Sequence, residues 1–473
     1  MKSPNGTKEL TQFLDQFWEK QILPTLTDFI KIPNESPSFD RDWAKHGHMK
    51  KAAKLVTDWI KAQQVRGLKL KTLQDGSRTP LILADIPGGD NRTVLIYGHI
   101  DKQPPMTGWN EGLGPWKPVR DKQGRLYGRG GADDGYSVFA AIAAARAMQE
   151  QGISHSRLLV LIECSEESGS VDLPHYLSRY KKEIGTPDLV IALDSGCGNY
   201  DQLWNTTSLR GLLNITLKVE VMREGVHSGI GGGIVPSPYR IMNMLIDRIE
   251  DQKTGQFRLP ELKVTIPKAR REQAREAARV LGQSVAAGFP FIRGAQMLSN
   301  RVEDMLLDNA WKPALVITGQ EGIPDWGAGG NVLPGSIGLK LSMRLPPGVE
   351  PAKVGAAVRK ALTAKPPFGA KITVTAGGAP GWNAPPTRPW LEKAINDASS
   401  EFYGKPACHI GLGGTIPFMK MIGDQYPKAQ FLITGVLGPN SNAHGPNEFL
   451  HIPYAKKLTA ALVRILERHH QAG

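Results

Sequence analysis

Acidic and imidazole side chains recur in this sequence just after runs of apolar residues. "LIYGHID" ends in His99 and Asp101, "LIECSEE" in Glu163, Glu166 and Glu167, and "VIALDSG" contains Asp194. "YGRGGADDGYSVF" sets Asp133 and Asp134 in a glycine-rich turn before a helical pattern. "LITGVLGPNSNAHGPNEF" delivers His444 after a long loop. Adjacent carboxylates repel, and burying them unpaired costs several kcal/mol or forces protonation. Either the "CSEES" segment runs out into water or a cation waits there. Taken singly, each group has an ordinary reading. His99 and His444 suit loop histidines, Asp133 a helix N-cap, Asp194 a turn residue, and Glu166 and Glu167 a solvated edge. Taken together, two histidines and at least three carboxylates form an oxygen and imidazole ligand set suited to zinc, manganese or cobalt. Cys164 lies inside its strand pattern and reads as packing.

For these groups to meet, the apolar runs must be neighbouring strands. "PLILADI", "RTVLIYGHID", "RLLVLIECSEE", "DLVIALDSG" and "AQFLITGVLG" read as core strands. Helical patterns such as "GYSVFAAIAAARAMQEQG" (135–152) separate them. This alternation predicts an α/β fold, a mostly parallel sheet with helices on both faces. Ligands bind such sheets beyond the carboxyl ends of the strands, where all the groups above converge.

Past Arg210 the texture changes. Leu213, Ile215, Leu217, Val219 and Val221 alternate with polar residues, a period of two that means a sheet with one wet face. Setting aside an Arg-rich helical stretch near 268–286, the order to residue 382 is β-α-β-β-α-β, a ferredoxin-like unit. "GGAPGWNAPPTRPW" reads as the return linker. The expected organisation is a discontinuous catalytic domain, 1–210 and 383–473, with an inserted lid or dimerisation domain at 211–382.

The bulk numbers agree. A chain of 473 residues is long for one domain. Its 58 Lys and Arg against 45 Asp and Glu give a net charge of +13. The basic residues are scattered, with no basic tail or aromatic-basic motif, which favours a field attracting anionic substrates over nucleic-acid binding. Three cysteines without a CxxC pair, no apolar signal region and no run of about 18 apolar residues predict a cytoplasmic protein without a membrane span.

"GHID", "LYGRGGADDG", "CSEESGS", "DSG", "VHSG" and "NAHGPNE" follow one another as in the two-metal peptidase family of the MH clan. That family holds carnosine dipeptidase, aminoacylase, glutamate carboxypeptidase and succinyl-diaminopimelate desuccinylase. The sequence resembles it over nearly the whole chain and is most similar to the cytosolic, carnosine-type dipeptidases. The resemblance implies two divalent ions, zinc foremost, with manganese or cobalt as alternatives. It implies Asp133 as a carboxylate bridging both ions, His99 and Asp194 completing one shell, and Glu167 and His444 the other. Asp101 resembles the acid that orients the His99 imidazole, Glu166 the general base, and Asp134 a neighbour that is not a ligand. Glu163 has no implied role and is expected to pair with a nearby base.

The same resemblance extends to the substrate side. It makes His227 in "VHSG" a histidine that reaches the partner subunit's active site, implying a homodimer. It makes Arg344 a clamp for the substrate's C-terminal carboxylate and Asn331 a polar substrate-loop residue. Gly413, Gly414 and Thr415 match a glycine-rich loop that in relatives commonly begins with Arg, where this chain has Gly411 and Leu412. Asp194, where many carboxypeptidases and deacylases carry Glu, favours a dipeptidase acting on free N-termini over an N-acyl amino acid deacylase or carboxypeptidase.

Overall fold

A computed structural model of the protein describes residues 4–472. The elements that frame the site begin with β1 (Lys69–Leu73), β2 (Leu81–Ile86), β3 (Thr93–His99), α1 (Tyr136–Glu150), β4 (Arg157–Glu163), β5 (Leu189–Ala192) and β6 (Trp204–Leu209). Next come β7 (Gly211–Glu220), α2 (Pro238–Ile246), α3 (Lys268–Leu281), α4 (Val302–Trp311), β8 (Ala314–Glu321), β9 (Ser336–Leu345), α5 (Pro351–Thr363) and β10 (Lys371–Ala379). The last stretch holds α6 (Pro389–Tyr403), β11 (Cys408–Leu412), β12 (Gln430–Ile433) and α7 (Ile452–Gln471).

The central sheet has the order β1-β2-β4-β3-β5-β12. β4, β3, β5 and β12 are mutually parallel, while β2 runs antiparallel to β4. Every residue of β3 is buried, which is why Val94–Tyr97 is an unbroken apolar run. Ile96, Val160 and Ile191 face one core with α1, α6 and α7, while Leu95, Leu161 and Val190 face the other with Phe418 and Ile422. α1 is alanine-rich and buried nearly all round, so it packs in the interior against α7 and β3.

β7, β8, β9 and β10 form a second sheet in the order β8-β9-β7-β10, antiparallel throughout. α2 and α5 share a separate core with its buried face. This is the ferredoxin-like arrangement expected from the alternation in β7. α3 and α4 fall between β7 and β8 in sequence, yet Ala274, Ala277, Leu281 and Leu306 join the core of the first sheet. They pack on β11.

β6 and β11, a parallel pair, were not foreseen. Asn205, Thr206, Thr207 and Ser208 of β6 are all buried, so a polar sequence occupies an interior strand. Three of these side chains are paired locally: Asn205 Oδ1 accepts from Ile433 N–H at 3.1 Å, Thr206 Oγ1 lies 2.8 Å from Ser195 Oγ, and Thr207 Oγ1 donates to Gln273 Oε1 at 2.9 Å. Among the described residues no helix is long and apolar enough to cross a membrane.

Candidate metal centre

Three parallel strands end together, and the chain delivers an acid or imidazole past each end. β3 closes on His99, with Asp101 two residues on. β4 is followed by a short turn at Glu166–Ser168, and β5 by Asp194. Asp133 and Asp134 occupy the turn that feeds α1, joined by a cis peptide bond. The loop after β12 brings His444 to the same edge.

Asp133 lies between the two imidazoles. Its Oδ1 is 3.4 Å from His99 Nε2, and its Oδ2 is 3.0 Å from His444 Nε2. Asp194 Oδ1 is 3.8 Å from His99 Nε2, and Glu167 Oε2 is 3.4 Å from His444 Nε2. Ligand atoms of His99, Asp133 and Glu167 lie within 4.8 Å of one another, as do those of His99, Asp134 and Asp194. The structure therefore gathers all five expected donors and adds Asp134 beside them. Asp134 Oδ2 accepts the His99 backbone N–H at 3.2 Å.

Asp101 connects the two strand ends. It accepts the backbone N–H groups of Glu166 and Glu167 at 3.1 and 3.0 Å, and its Oδ1 is 3.4 Å from His99 Nδ1. His99 Nδ1 is also 3.1 Å from the Asp101 carbonyl. This fixes the ring with Nε2 aimed at Asp133 and Asp194.

The centre is short of positive charge. Burial, then the charge of Asp194, raises the Glu166 carboxyl well above the ordinary carboxylate range. Burial, then Asp133, lifts Glu167 to about 8. Burial and Asp194 raise Asp134 in the same way. Burial opposes charge on His99, but Asp194, Asp101 and Asp133 outweigh it and push its pKa up. Only Asp133, held by His444 and His99 against its burial, is lowered. His99 Nε2, Asp133 Oδ2, Asp134 Oδ1 and Glu167 Oε1 are buried without a hydrogen-bond partner. Buried polar atoms are ordinarily paired, so these orphans and this donor set fit divalent cations.

A buried ion pair, missed in the sequence, locks the two loops together. Arg129 and Glu448 are both buried, with Nη1 to Oε2 at 2.6 Å. Arg129 Nη2 donates to the carbonyls of His444 and Gly445 at 3.1 and 2.8 Å. Glu448 Oε1 accepts from the N–H groups of Gly130 and Asp133 at 3.0 and 3.3 Å. The only sequence signal was opposite charge inside two motifs that must meet, "YGRGGADDG" and "NAHGPNE". Replacing Glu448 with Met leaves Arg129 buried and unpaired, at a cost of about 3–5 kcal/mol. Denaturant unfolding is expected to show that loss, with part of it recovered in the Arg129→Met/Glu448→Met double variant.

Glu163 corrects an expectation. Among the described residues it pairs with no base; it accepts from Tyr97 Oη at 2.6 Å and Ser170 Oγ at 2.8 Å. Burial, then the charge of Asp101, raises it to about 7, so hydroxyl donors serve where a cation was expected. Cys164 is buried, as packing predicts.

The substrate-side residues divide into two groups. Arg344, on the polar side of β9, lies 3.4 Å from Thr415 Oγ1, beside Gly413 and Gly414. Gly411 and Leu412 end β11 and are strand, not loop. His227 and Asn331 stand apart on an exposed two-stranded arm, Val226–His227 with Val332–Leu333. His227 Nδ1 accepts from Gly229 N–H at 3.0 Å, and Asn331 carbonyl accepts from Ser228 N–H at 2.8 Å. No hydrogen bond or ion pair of the acidic centre includes either residue among the described ones.

Residues 95–468 match the model of peptidase family M20/M25/M40. The chain belongs to this family. The M20/M25/M40 relatives of similar length include the cysteinylglycine-S-conjugate dipeptidase of Corynebacterium striatum, 29% identical over 424 residues, 86% of this chain and 88% of that one. The Beta-Ala-His dipeptidase of Rattus norvegicus is 26% identical over 510 residues, covering 99% of this chain and 98% of its own. The fold of this M20/M25/M40 member is shared with the solved structure of the dipeptidase Dug1p of Saccharomyces cerevisiae. That likeness has a TM-score of 0.81 at 23% identity and covers 98% of both chains.

Proposed function

We propose that the protein is a two-metal dipeptidase that cleaves the amide bond of dipeptides or short peptides with a free N-terminus. One observation supports this reading above the others. Asp133 presents one oxygen to each histidine, while the unligated Glu166 stands at the same edge. The substrates in the names of the bacterial and rat relatives, a cysteinylglycine conjugate and β-alanyl-histidine, point the same way.

In this proposal Asp133 would serve both ions, with His99 and Asp194 holding one and Glu167 and His444 the other. Zinc is the first choice, and manganese or cobalt suit the same donors. Bound ions supply Lewis acidity to the attacking water and the scissile carbonyl. Glu166 takes the proton from that water and passes it to the departing amine nitrogen. Asp101 holds His99 and, through two backbone N–H groups, the turn that carries Glu166 and Glu167. Arg344 receives the C-terminal carboxylate, the Gly413–Gly414–Thr415 loop lines the peptide's path, and Asn331, on the arm with His227, is a polar substrate-loop residue.

The proposal further assigns the catalytic domain to 1–210 and 383–473 and the lid to the inserted 211–382, whose α3 and α4 pack back on the first core, in a cytoplasmic homodimer. His227 is exposed and unengaged with its own chain's acidic centre, in keeping with a role at the partner's site. A fully active monomer in sedimentation would sink that part. The central test is a dipeptide panel, free and N-acetylated, offered to enzyme reconstituted with each metal. Hydrolysis of the free members is expected. Cleavage of the acetylated members alone would overturn the dipeptidase reading in favour of a deacylase.

A further inference from the structure

Beside the 413–415 loop stand two guanidinium groups, those of Arg210 and Arg344. Arg210 directly follows β6 and is only 7% exposed. Its backbone N–H donates to Leu412 carbonyl at 3.2 Å, which ties it to the end of β11. Its Nη1 donates to Lys312 carbonyl at 3.1 Å, and its Nε is buried without a partner. Its Nη2 lies over Gly413, where a Cβ would come within 2.7 Å of it. Arg344 reaches the same place from β9 through Thr415 Oγ1, and that hydroxyl in turn donates to the Arg210 carbonyl at 2.5 Å. Among the described residues neither arginine forms an ion pair. Burial, then the nearby charge of Arg344, depresses Arg210 to about 10, and burial lowers Arg344 as well.

A buried cation without a counterion is costly, and two that repel each other are more so. Such an arrangement persists where an anion arrives from outside. Position 411 cannot contribute a side chain to this place. A Cβ on Gly411 would sit 2.5 Å from Ser208 Oγ and 2.6 Å from Ala310 Cβ, because α4 packs tightly on β11 there. The second positive charge comes instead from Arg210 at the end of the neighbouring strand, whose Nη2 shares the space over Gly413 with the neutral side-chain amide of Asn309.

We infer that Arg210 and Arg344 together bind a C-terminal residue carrying two carboxylates, so that the preferred dipeptides end in aspartate or glutamate. This rests on the dipeptidase reading and on Arg344 receiving the α-carboxylate; Arg210 receives the one on the side chain. A guanidinium matches a carboxylate with two parallel N–H···O bonds, whereas the amide isostere leaves charge unpaired in a buried place.

The test compares kcat/KM of the metal-loaded enzyme on Ala-Glu against Ala-Gln and on Ala-Asp against Ala-Asn. The parent enzyme is expected to favour the acidic member of each pair at least tenfold. Arg210→Met is expected to lose at least tenfold more on the acidic members than on the amides, with Arg210→Lys recovering part of the preference. Equal rates within each pair in the parent enzyme, or an equal loss on both in Arg210→Met, would overturn the inference while leaving the dipeptidase reading in place. The parent comparison decides even where Arg210→Met does not fold. Failure to turn over any member would overturn both.

Discussion

Glutamine at position 166 is expected to lower kcat by about 10²–10⁴-fold, the range for removing a positioned general base, while the protein keeps its full complement of metal. The two halves of that expectation come from different observations. Glu166 is held by its backbone N–H on Asp101, so replacing the side chain does not release the turn. It is also absent from both groups of clustered donor atoms, and the proposed ligand set does not use it. Its surroundings, burial and then Asp194, raise its proton affinity, and cations bound alongside favour the ionised form again. A base poised between those influences is suited to receive and return a proton. Glutamine preserves volume and removes only that capacity. Glu167→Gln is the contrasting variant, since Glu167 lies within the donor cluster and its change is expected to lower metal content as well as rate. Turnover with metal content measured by mass spectrometry separates the two. An active Glu166→Gln enzyme, within tenfold of the parent, would remove this residue from the mechanism.

Stripping divalent ions with a chelator is expected to abolish hydrolysis, and readdition of zinc, manganese or cobalt to restore it. It is also expected to reveal a pH dependence of stability that the loaded protein lacks. The sign follows from the shifts. Glu167 rises from 4.5 to about 8 on folding, so between those values the folded chain binds more protons than the unfolded one. His99 is likewise raised above its ordinary 6.5. Stability of the stripped protein therefore falls as pH climbs from about 4.5 to 8. Asp133 acts oppositely, but only at pH values below its ordinary 3.8. With ions present the same carboxylates are neutralised by metal, and binding at a thousand times Kd adds about 4 kcal/mol. Thermal unfolding across that pH range, with and without chelator, is the measurement. Parallel curves for the two forms would argue against metal at this centre.

Much of this site could be read from the chain because parallel interior strands leave a plain mark. A run such as the one ending at His99 is apolar on both faces, so the first polar residues beyond it stand out at the sheet edge. Convergence of His99, Glu167, Asp194 and His444 then followed from topology. What stayed hidden lacks such contrast. β6 buries Asn205, Thr206, Thr207 and Ser208, and a buried polar strand looks like a loop until its partners are known. α3 reads as a solvated, arginine-rich helix. Its Arg270 is nevertheless buried, donating to Asn383 Oδ1 at 2.9 Å and Ala384 carbonyl at 2.7 Å, which draws the helix onto the first core. The Arg129–Glu448 pair has no periodicity at all, because its meaning lies in contact between loops distant in sequence. Glu163 misled for a related reason. Its partners Tyr97 and Ser170 are neutral hydroxyls, and charge counting does not register them.

The placement of His444 has a consequence for how the enzyme comes into being. β12 adds at the edge of the sheet against β5, and the loop after it supplies the second imidazole. A chain still on the ribosome holds His99, Asp133, Glu166 and Asp194 long before His444 is made, and domains fold as units while synthesis proceeds. Until the final segment docks, Asp133 has only one of its two histidines, and Arg129 has no Glu448. On the proposed ligand assignment, a chain that ends before His444 is expected to lack hydrolytic activity.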